Sequence, residues 1–563
     1  MILFSDLLSK KLKIKFFFLI LIYIFSYFFE IVSLSLVFPI IKVLSDGSYP
    51  EFLINFLAKF KIEELINYEY FFLILLSSFF FLFILRTIFM YAKDKFQYKY
   101  YLDFQIFIRN KLLKIFYSNF NPLSKQNKSS ETITLMMDDV ENFASHNQCL
   151  LSIIPEVILT CIFSIFLFIL DYRIFILSFS LLCILSYFYV KLTNIKYYSI
   201  SFKRRYYYNK KLSDLQKIFF GFIELKLAKK INFFFKSYMQ SEKKFIHINI
   251  RKSLLNLIPK LLFEFFLVLS VTIILFATYL FEAQNKIALI GTFVVISFRL
   301  FPKVSLINTN YQNLKTYSKS VHVIKNMLKE KIKNQNNLVT IKKWNNIIFK
   351  NINFKYDRRI ILKNVFFEIF FKKSYLIYGD NGSGKSTLAK ILAGLNISKT
   401  TKIILDRKIQ VSSLQDLNLK ISYMPQKPYL FDASIYENVT FNKNYNSKDY
   451  LFKNIIKAIG VDEIIKKNNI DFQSKIGEEG KLLSGGEGKK ICLARALYLK
   501  PQILILDELL DSIDYPSQIK IIKYLRKDQK NLTLIMITHN KIFKKFFNFT
   551  YNLQNRKLNK IIK

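Results

Sequence analysis

With 563 residues, 52% of them hydrophobic, the chain is too apolar to be wholly soluble and long enough for more than one domain. Its formal charge of +44, from 84 Lys and Arg against 40 Asp and Glu, comes from lysines spread among Asn, Ile and Phe; they seldom alternate with aromatics, which points to anionic lipid and a compositional bias and away from a nucleic-acid partner. The four cysteines, Cys149, Cys161, Cys183 and Cys492, stand in apolar or helical surroundings without C-x-x-C spacing, so no disulfide framework or zinc site is expected and they are read as core thiols.

The chain opens on a basic stretch, KKLKIKFF at Lys10 to Phe17, leading into an apolar run too long for a signal h-region and without a small-residue cleavage site. It is read as an uncleaved first membrane span. Apolar runs follow the pattern Phe16–Val43, Tyr70–Ala92, Cys149–Leu170, Ile174–Leu192, Ile258–Phe281 and Ile287–Phe301. Most reach the ~20 residues needed to cross a bilayer, which predicts six spans. The segments Lys93–Gln148 and Thr193–Leu257 are long and rich in Lys and Arg, whereas the turn Asp171–Arg173 is short, so both long segments and both termini are placed in the cytoplasm.

Neither long segment reads as a loop. Gly and Pro are nearly absent, and apolar positions continue at helical spacing, as in YYLDFQIFIRNKLLKIFY, so helices are expected to extend well past the membrane. The breaks at Asn119–Ser130 (NFNPLSKQNKSS) and near Phe220–Glu224 (FGFIE) are then either tips directed at whatever lies below or simple turns. A polar stretch, KNMLKEKIKNQNNLVTIKKWNN, closes this half, giving a membrane domain over 1–325, a linker over 326–346 and a second domain over 347–563 with alternating strand and helix patterns.

The second domain carries SYLIYGDNGSGKST at Ser374–Thr387, in which Gly379 to Ser386 fit G-x-x-x-x-G-K-[ST] between a β-like run and the helical pattern LAKILAGL. Phosphates must be cradled closely by backbone N–H groups, and Gly379, Gly382 and Gly384 allow that approach because glycine lacks a Cβ and reaches positive φ cheaply. Lys385 is then placed for the β- and γ-phosphates and the Ser386 hydroxyl for Mg²⁺. Downstream, ILILDE at Ile503–Glu508 is a buried-strand run ending in two acids, with Asp507 suited to hold Mg²⁺ and Glu508 to orient and help deprotonate an attacking water. A second apolar strand ends in ITH at Ile537–His539, and between the phosphate loop and the acids lies LSGGE at Leu483–Glu487, followed by GKKICLARALYLKP.

This set of motifs, in this order, resembles the nucleotide-binding domain of ATP-binding cassette half-transporters of the exporter type. The resemblance implies an all-α six-span transmembrane domain followed by an α/β ATP-binding cassette (P-loop) domain, an ATP hydrolase coupled to transport, and ATP with Mg²⁺ as cofactors. It further implies that Tyr356 stacks on adenine, that Asn381, Ser383 and Thr387 join the glycines, Lys385 and Ser386 of the phosphate loop, and that Gln426 of YMPQ is the Q-loop residue acting at the metal and in catalysis. IGEEG at Ile476–Gly480 resembles the exporter X-loop, Asp511–Asp514 the D-loop, and His539 the switch histidine that contacts the γ-phosphate. Ser484, Gly485 and Gly486 would close on the ATP held by another domain's phosphate loop, so a dimer is implied. The intact set of motifs points to a homodimer, with a related half-transporter as the alternative partner. Two departures stand out: Glu487 and Gly488 replace the more frequent Gln and Lys or Arg, and DSID replaces SALD, each adding a carboxylate expected to alter ATP affinity or rate without abolishing activity.

The membrane half looks most like bacterial lipid-linked oligosaccharide flippases, in FFEIVSLSLVFPII near Glu30, FILRTIF around Arg86 and FRLFPKVSLINT around Arg299. Charges inside apolar spans are costly and point to function. Arg86 and Arg299 are suited to a diphosphate through forked hydrogen bonds, the competing reading being internal pairing with Glu30, Glu156 or Glu264. The expectation is a transporter in the bacterial cytoplasmic membrane moving a polyprenyl-diphosphate-linked oligosaccharide outward. Alternatives are another lipid or hydrophobic drugs, then a peptide, then a soluble cassette ATPase. His146, His247 and His322 are scattered without ligand spacing.

Overall fold

The computed structural model describes residues 9–59, 70–119, 129–280, 286–329, 344–356, 359–395, 400–411, 414, 417 and 419–561, with 528 and 530 excepted. Two compact units divide it, the first ending at Ile332 and the second beginning at Lys333.

The first unit is helical: α1 (Lys10–Ser35), α2 (Val37–Asp46), α3 (Glu51–Lys59), α4 (Phe71–Asn119), α5 (Ser129–Thr134), α6 (Val140–Leu170), α7 (Tyr172–Phe220), α8 (Phe222–Leu227), α9 (Ile231–Leu280), α10 (Lys286–Thr316) and α11 (Ser318–Lys329). Helices α4 and α7 have 49 residues and α9 has 50. At 1.5 Å per residue each runs to ~75 Å, more than twice a ~30 Å hydrocarbon layer.

Among the described residues five helices are long and apolar enough to cross a membrane, against the six spans expected. The fourth apolar run, Ile174–Leu192, falls in α7, and most of its side chains lie outside the described residues. Large apolar side chains such as Phe25 and Phe28 of α1 and Phe80 and Phe81 of α4 point outward, the surface lipid tails would cover. Leu19, Tyr23, Leu159, Phe163 and Phe293 fill the inside. Cys149 is buried as expected, but Cys161 lies on the exposed face of α6 and is no core thiol; Cys183 lies outside the described side chains.

The break expected near Phe220–Glu224 is present: α7 stops at Phe220, Gly221 interrupts the helix, and α8 ends before α9 begins at Ile231. Of the other, Asn119–Ser130, residues 120–128 lie outside the described residues. Where the helices leave the apolar zone, a π-helical turn at Leu135–Asp139 joins α5 to α6 and places two buried acids side by side. Arg204 grips Asp138 through both terminal nitrogens at 3.1 and 2.8 Å, Arg205 grips Asp139 at 2.9 to 3.1 Å, and Ser320 of α11 donates to Asp139 at 2.7 Å. Forked, charge-assisted pairing of this kind offsets the desolvation of both acids.

The second unit has a four-stranded antiparallel sheet in the order β2 (Arg359–Phe370), β1 (Asn346–Tyr356), β4 (Lys402–Leu405), β5 (Ile409–Val411). Its six-stranded sheet runs β10 (Lys557–Ile561), β9 (Phe549–Gln554), β3 (Ser374–Tyr378), β8 (Thr533–Ile537), β7 (Ile503–Asp507), β6 (Ile421–Met424). From β9 to β6 the neighbours are parallel. Strands β3, β7 and β8 are buried at every position, as parallel strands covered on both faces should be. The helices are α12 (Lys385–Leu392), α13 (Ile435–Thr440), α14 (Tyr450–Ile459), α15 (Val461–Lys467), α16 (Gly485–Tyr498) and α17 (Tyr515–Lys527). Of the expected linker 326–346, α11 covers the start to Lys329 and β1 opens on Asn346, while 330–343 lie outside the described residues.

Candidate functional site

Parallel pairing decides where the chemistry collects. Ile377 of β3 and Asp507 of β7 both lie opposite Ile537 of β8, so the three chains leave the sheet at the same edge. The loops following them carry Gly379–Gly384, Glu508 and His539, which is where open α/β sheets bind ligands.

The phosphate loop takes the shape its glycines allow. Gly382 and Gly384 stand at φ +77° and +103°, and a Cβ at Gly379 would run into the carbonyl oxygen of Leu553. Gly384 caps α12, and the buried Lys385 that follows folds back so that Nζ donates to the carbonyls of Gly379 and Asp380 at 2.9 and 3.0 Å. The same Nζ lies 3.3 Å from Oε1 of Glu508. Ser383 Oγ is buried and has no hydrogen-bond partner among the described residues. An orphaned hydroxyl inside a glycine-rich loop at a helix N-terminus fits a phosphate oxygen. Asn381 is exposed at the loop tip and Thr387 is buried in the first turn of α12.

Asp507 is buried at the end of β7, where Ser386 Oγ donates to one carboxylate oxygen and Tyr423 OH to the other, both at 3.1 Å. Burial pushes its carboxyl above the usual range, against the two hydroxyl donors. Ser386, Asp507 and Gln426 offer hard oxygen donors, the set a Mg²⁺ ion takes together with substrate phosphates, and no group of three His, Cys, Asp or Glu is present among the described residues to favour a softer metal. Gln426 Nε2 donates to Oε2 of Glu508 at 2.8 Å. Glu508 stands at φ +50°, a conformation rarely held by non-glycine residues, and its N–H bonds to the carbonyl of Ile537 at 2.9 Å. Lys385, Glu508 and Gln426 therefore form one contact chain.

The LSGGE stretch stands apart from this chain. Ser484 is the N-cap of α16 and forms a reciprocal capping box with Glu487: the Ser484 N–H donates to Oε2 at 2.9 Å and the Glu487 N–H to the Ser484 hydroxyl at 3.3 Å. The departure at Glu487 is thus absorbed locally. Burial opposes its ionisation, but the Ser484 N–H, the Ser484 hydroxyl and Lys467 hold its carboxyl below the usual range. Ser484 and Gly485 are exposed, and nothing lies within 4 Å of a Cβ built at Gly485. Tyr356 ends β1, half-buried, with its ring edge-on to Phe354 at 5.0 Å.

Sequence reading missed Tyr423, three residues before Gln426 in the strand beside β7, whose hydroxyl half-saturates Asp507. It also left open what surrounds the DSID aspartate: Thr538 Oγ1 donates to Oδ1 of Asp511 at 2.8 Å, and His539 Nδ1 lies 3.1 Å from Oδ2.

In the helical unit the proposed substrate arginines part company. Arg86 is buried and paired with Glu30 at 3.3 Å. Lys303 of α10 bridges Glu30 at 3.4 Å and Glu156 at 3.1 Å, and Tyr27 OH donates to Glu156 at 2.9 Å. Arg299 is half-buried, with its guanidinium 5.5 Å from the centre of the Phe83 ring. Among the described residues Glu264 pairs only with Lys260, on the exposed face of α9.

Comparison with known proteins agrees with this geometry. Residues 362–511 match the ABC transporter family model. A putative export ATP-binding/permease protein of Rickettsia typhi is 31% identical over 264 residues, 46% of this chain and 41% of its own length. The alpha-hemolysin translocation ATP-binding protein HlyB of Escherichia coli O157:H7 is 33% identical over 198 residues, 34% of this chain and 28% of its own. The chain thus spans less than half the length of the curated relatives it matches. A solved bacterial Atm1-family ABC exporter with ATP bound superposes with a TM-score of 0.77 at 16% identity, covering 97% of this chain and 94% of that one. Together these show the fold: a helical domain with membrane-length helices followed by an α/β domain that matches the ABC transporter family model over residues 362–511.

Proposed function

We propose that the chain is half of an ATP-driven exporter of the bacterial cytoplasmic membrane, acting as a homodimer. The observation that carries this reading is the contact chain of Lys385, Glu508 and Gln426 beside the Ser386–Asp507 pair, on a chain whose other unit is built of membrane-length helices. Glu508 is the base that orients and accepts a proton from the attacking water, Gln426 holds its carboxylate, and Lys385 binds the β- and γ-phosphates once they separate it from Glu508. Mg²⁺ held by Ser386, Asp507 and Gln426 would neutralise developing phosphate charge. His539 contacts the γ-phosphate. Tyr356 stacks on adenine, and the turn at Ser484–Gly486, exposed at Ser484 and Gly485, closes on the nucleotide of the partner chain, whose negative charge suits a helix N-terminus.

For cargo, the resemblance of the helical half supports a polyprenyl-diphosphate-linked oligosaccharide moved from the cytoplasmic to the outer leaflet. Arg299, half-buried and over an aromatic face, is the guanidinium best placed to meet a diphosphate. The Arg86–Glu30 pair favours a second reading, export of a lipid or drug without that group. Reconstitution into liposomes with candidate lipid-linked sugars tests both: ATP-dependent translocation lost in Arg299→Ala with basal ATPase kept supports the diphosphate cargo. Unchanged translocation in that variant removes it.

A further inference from the structure

The D-loop aspartate is built into the site in a way the nucleotide roles do not use. In DSID, Asp511 stands where SALD has serine, and its carboxylate is half-buried and fixed from several sides. Thr538 Oγ1 donates to Oδ1 at 2.8 Å, and the same hydroxyl accepts from the Asn540 N–H at 3.0 Å, so its proton is directed at Asp511. The Thr538 N–H is in turn tied to the carbonyl of Ile377, just ahead of the phosphate loop, at 3.2 Å. The loop bearing Asp511 is clamped from beneath: the buried Gln518 of α17 donates to the carbonyls of Leu510 and Ile513, both at 2.7 Å. With Oδ1 thus held, the buried Oδ2 has no hydrogen-bond partner among the described residues and lies 3.1 Å from Nδ1 of His539, the one ring nitrogen near enough to satisfy it by a small turn of the imidazole. The imidazole is otherwise largely exposed, and Nε2 has no partner among the described residues.

We propose that Asp511 is a positioning residue for His539: by engaging Nδ1 it fixes the ring's orientation and leaves Nε2 as the nitrogen that meets the γ-phosphate. The logic is that of any histidine whose working nitrogen is selected by the hydrogen bond at the other one. A serine at this position has one rotating hydroxyl, whereas Asp511 has two oxygens, one bonded to Thr538 and the other still unsatisfied 3.1 Å from the ring nitrogen. The carboxylate that DSID adds is therefore directed at Thr538 and His539 of its own chain. The proposal rests on the reading of His539 as the γ-phosphate contact.

A double-mutant cycle on the purified full chain tests it, with ATP turnover and binding of a fluorescent ATP analogue measured for Asp511→Ser, Asp511→Asn, His539→Ala and the Asp511→Ser/His539→Ala pair. The expected result is a loss of roughly tenfold in kcat for Asp511→Ser, of the size seen when an outer partner of a working histidine is removed, with KM within about twofold. Asp511→Asn, which keeps an acceptor for Nδ1, retains more activity. In the His539→Ala background Asp511→Ser costs nothing further, because the two act as one unit. The same loss with and without His539, or loss of analogue binding in Asp511→Ser, overturns the proposal. Wild-type turnover in His539→Ala overturns instead the reading beneath it, and the proposal with it.

Discussion

In the cassette, ionisable groups gather at the carboxyl ends of β3, β7 and β8, where His539 is exposed and Glu508 partly buried, beside the exposed Gln426 that follows β6. In the helical unit, Glu30, Arg86, Glu156 and Lys303 are shut inside a bundle whose outer face is apolar. The first arrangement leaves charge available for a ligand that brings its own phosphates and metal. The second uses charge to offset its own desolvation, since two acids and two cations each find a partner, while Arg299 stands half-buried outside these ion pairs. Charge in one region is a reagent, and in the other it is a joint between helices α1, α4, α6 and α10.

Removing a reagent changes rate, whereas removing half of a joint changes stability. Glu508→Gln, which keeps the shape and loses the base, is expected to lower ATP turnover by roughly two orders of magnitude or more while ATP binding persists; turnover near wild type in a phosphate-release assay removes Glu508 from the chemistry. Glu30→Ala strands Arg86 in the bundle and leaves Lys303 with Glu156 alone, and is expected to destabilise the helical unit by about 3–5 kcal/mol, read by thermal unfolding in detergent. A shift below ~1 kcal/mol there indicates that water reaches these cations and breaks the comparison.

Two smaller changes set the scale. Ser434 caps α13 in a capping box with Glu437, so Ser434→Ala is expected to cost about 1 kcal/mol of cassette stability without altering KM for ATP. Lys520 and Glu463 form an exposed pair at 3.3 Å, and Lys520→Ala is expected to move unfolding by no more than about 0.5 kcal/mol.

The same contrast explains what the sequence made legible. The phosphate loop, ILILDE and ITH are readable as parts of one site from the chain alone, because parallel strands and short loops carry motif residues to one edge and order along the chain translates into position. The capping role of Glu487 was open to the same reading, since S-x-x-E is a local pattern, yet resemblance to a commoner Gln drew attention to charge instead. Tyr423 and Asp511 were harder, because each acts across strands or loops on a residue distant in sequence. In the helical half, the apolar runs pointed to long helices, five of them long and apolar enough to cross a membrane among the described residues, but not to which side chains meet. Lys303 lies just beyond the last apolar run, and only the packing of α10 against α6 and α1 brings it to Glu156 and Glu30. The Asp138–Arg204 and Asp139–Arg205 pairs depend on a π-helical turn that no spacing rule signals.

In the proposed dimer Lys385 of one chain and Ser484 of the other complete each ATP site, and subunit mixing tests that division of labour most directly. Lys385→Ala and Ser484→Arg, each inactive alone, are mixed and allowed to exchange subunits before ATP turnover and trapped nucleotide are measured. In a mixed dimer both defects fall on one site and the other is wild type, so nucleotide trapping and turnover reappear on mixing. Two dead variants that stay dead when mixed, while wild-type chains exchange freely under the same conditions, contradict the account.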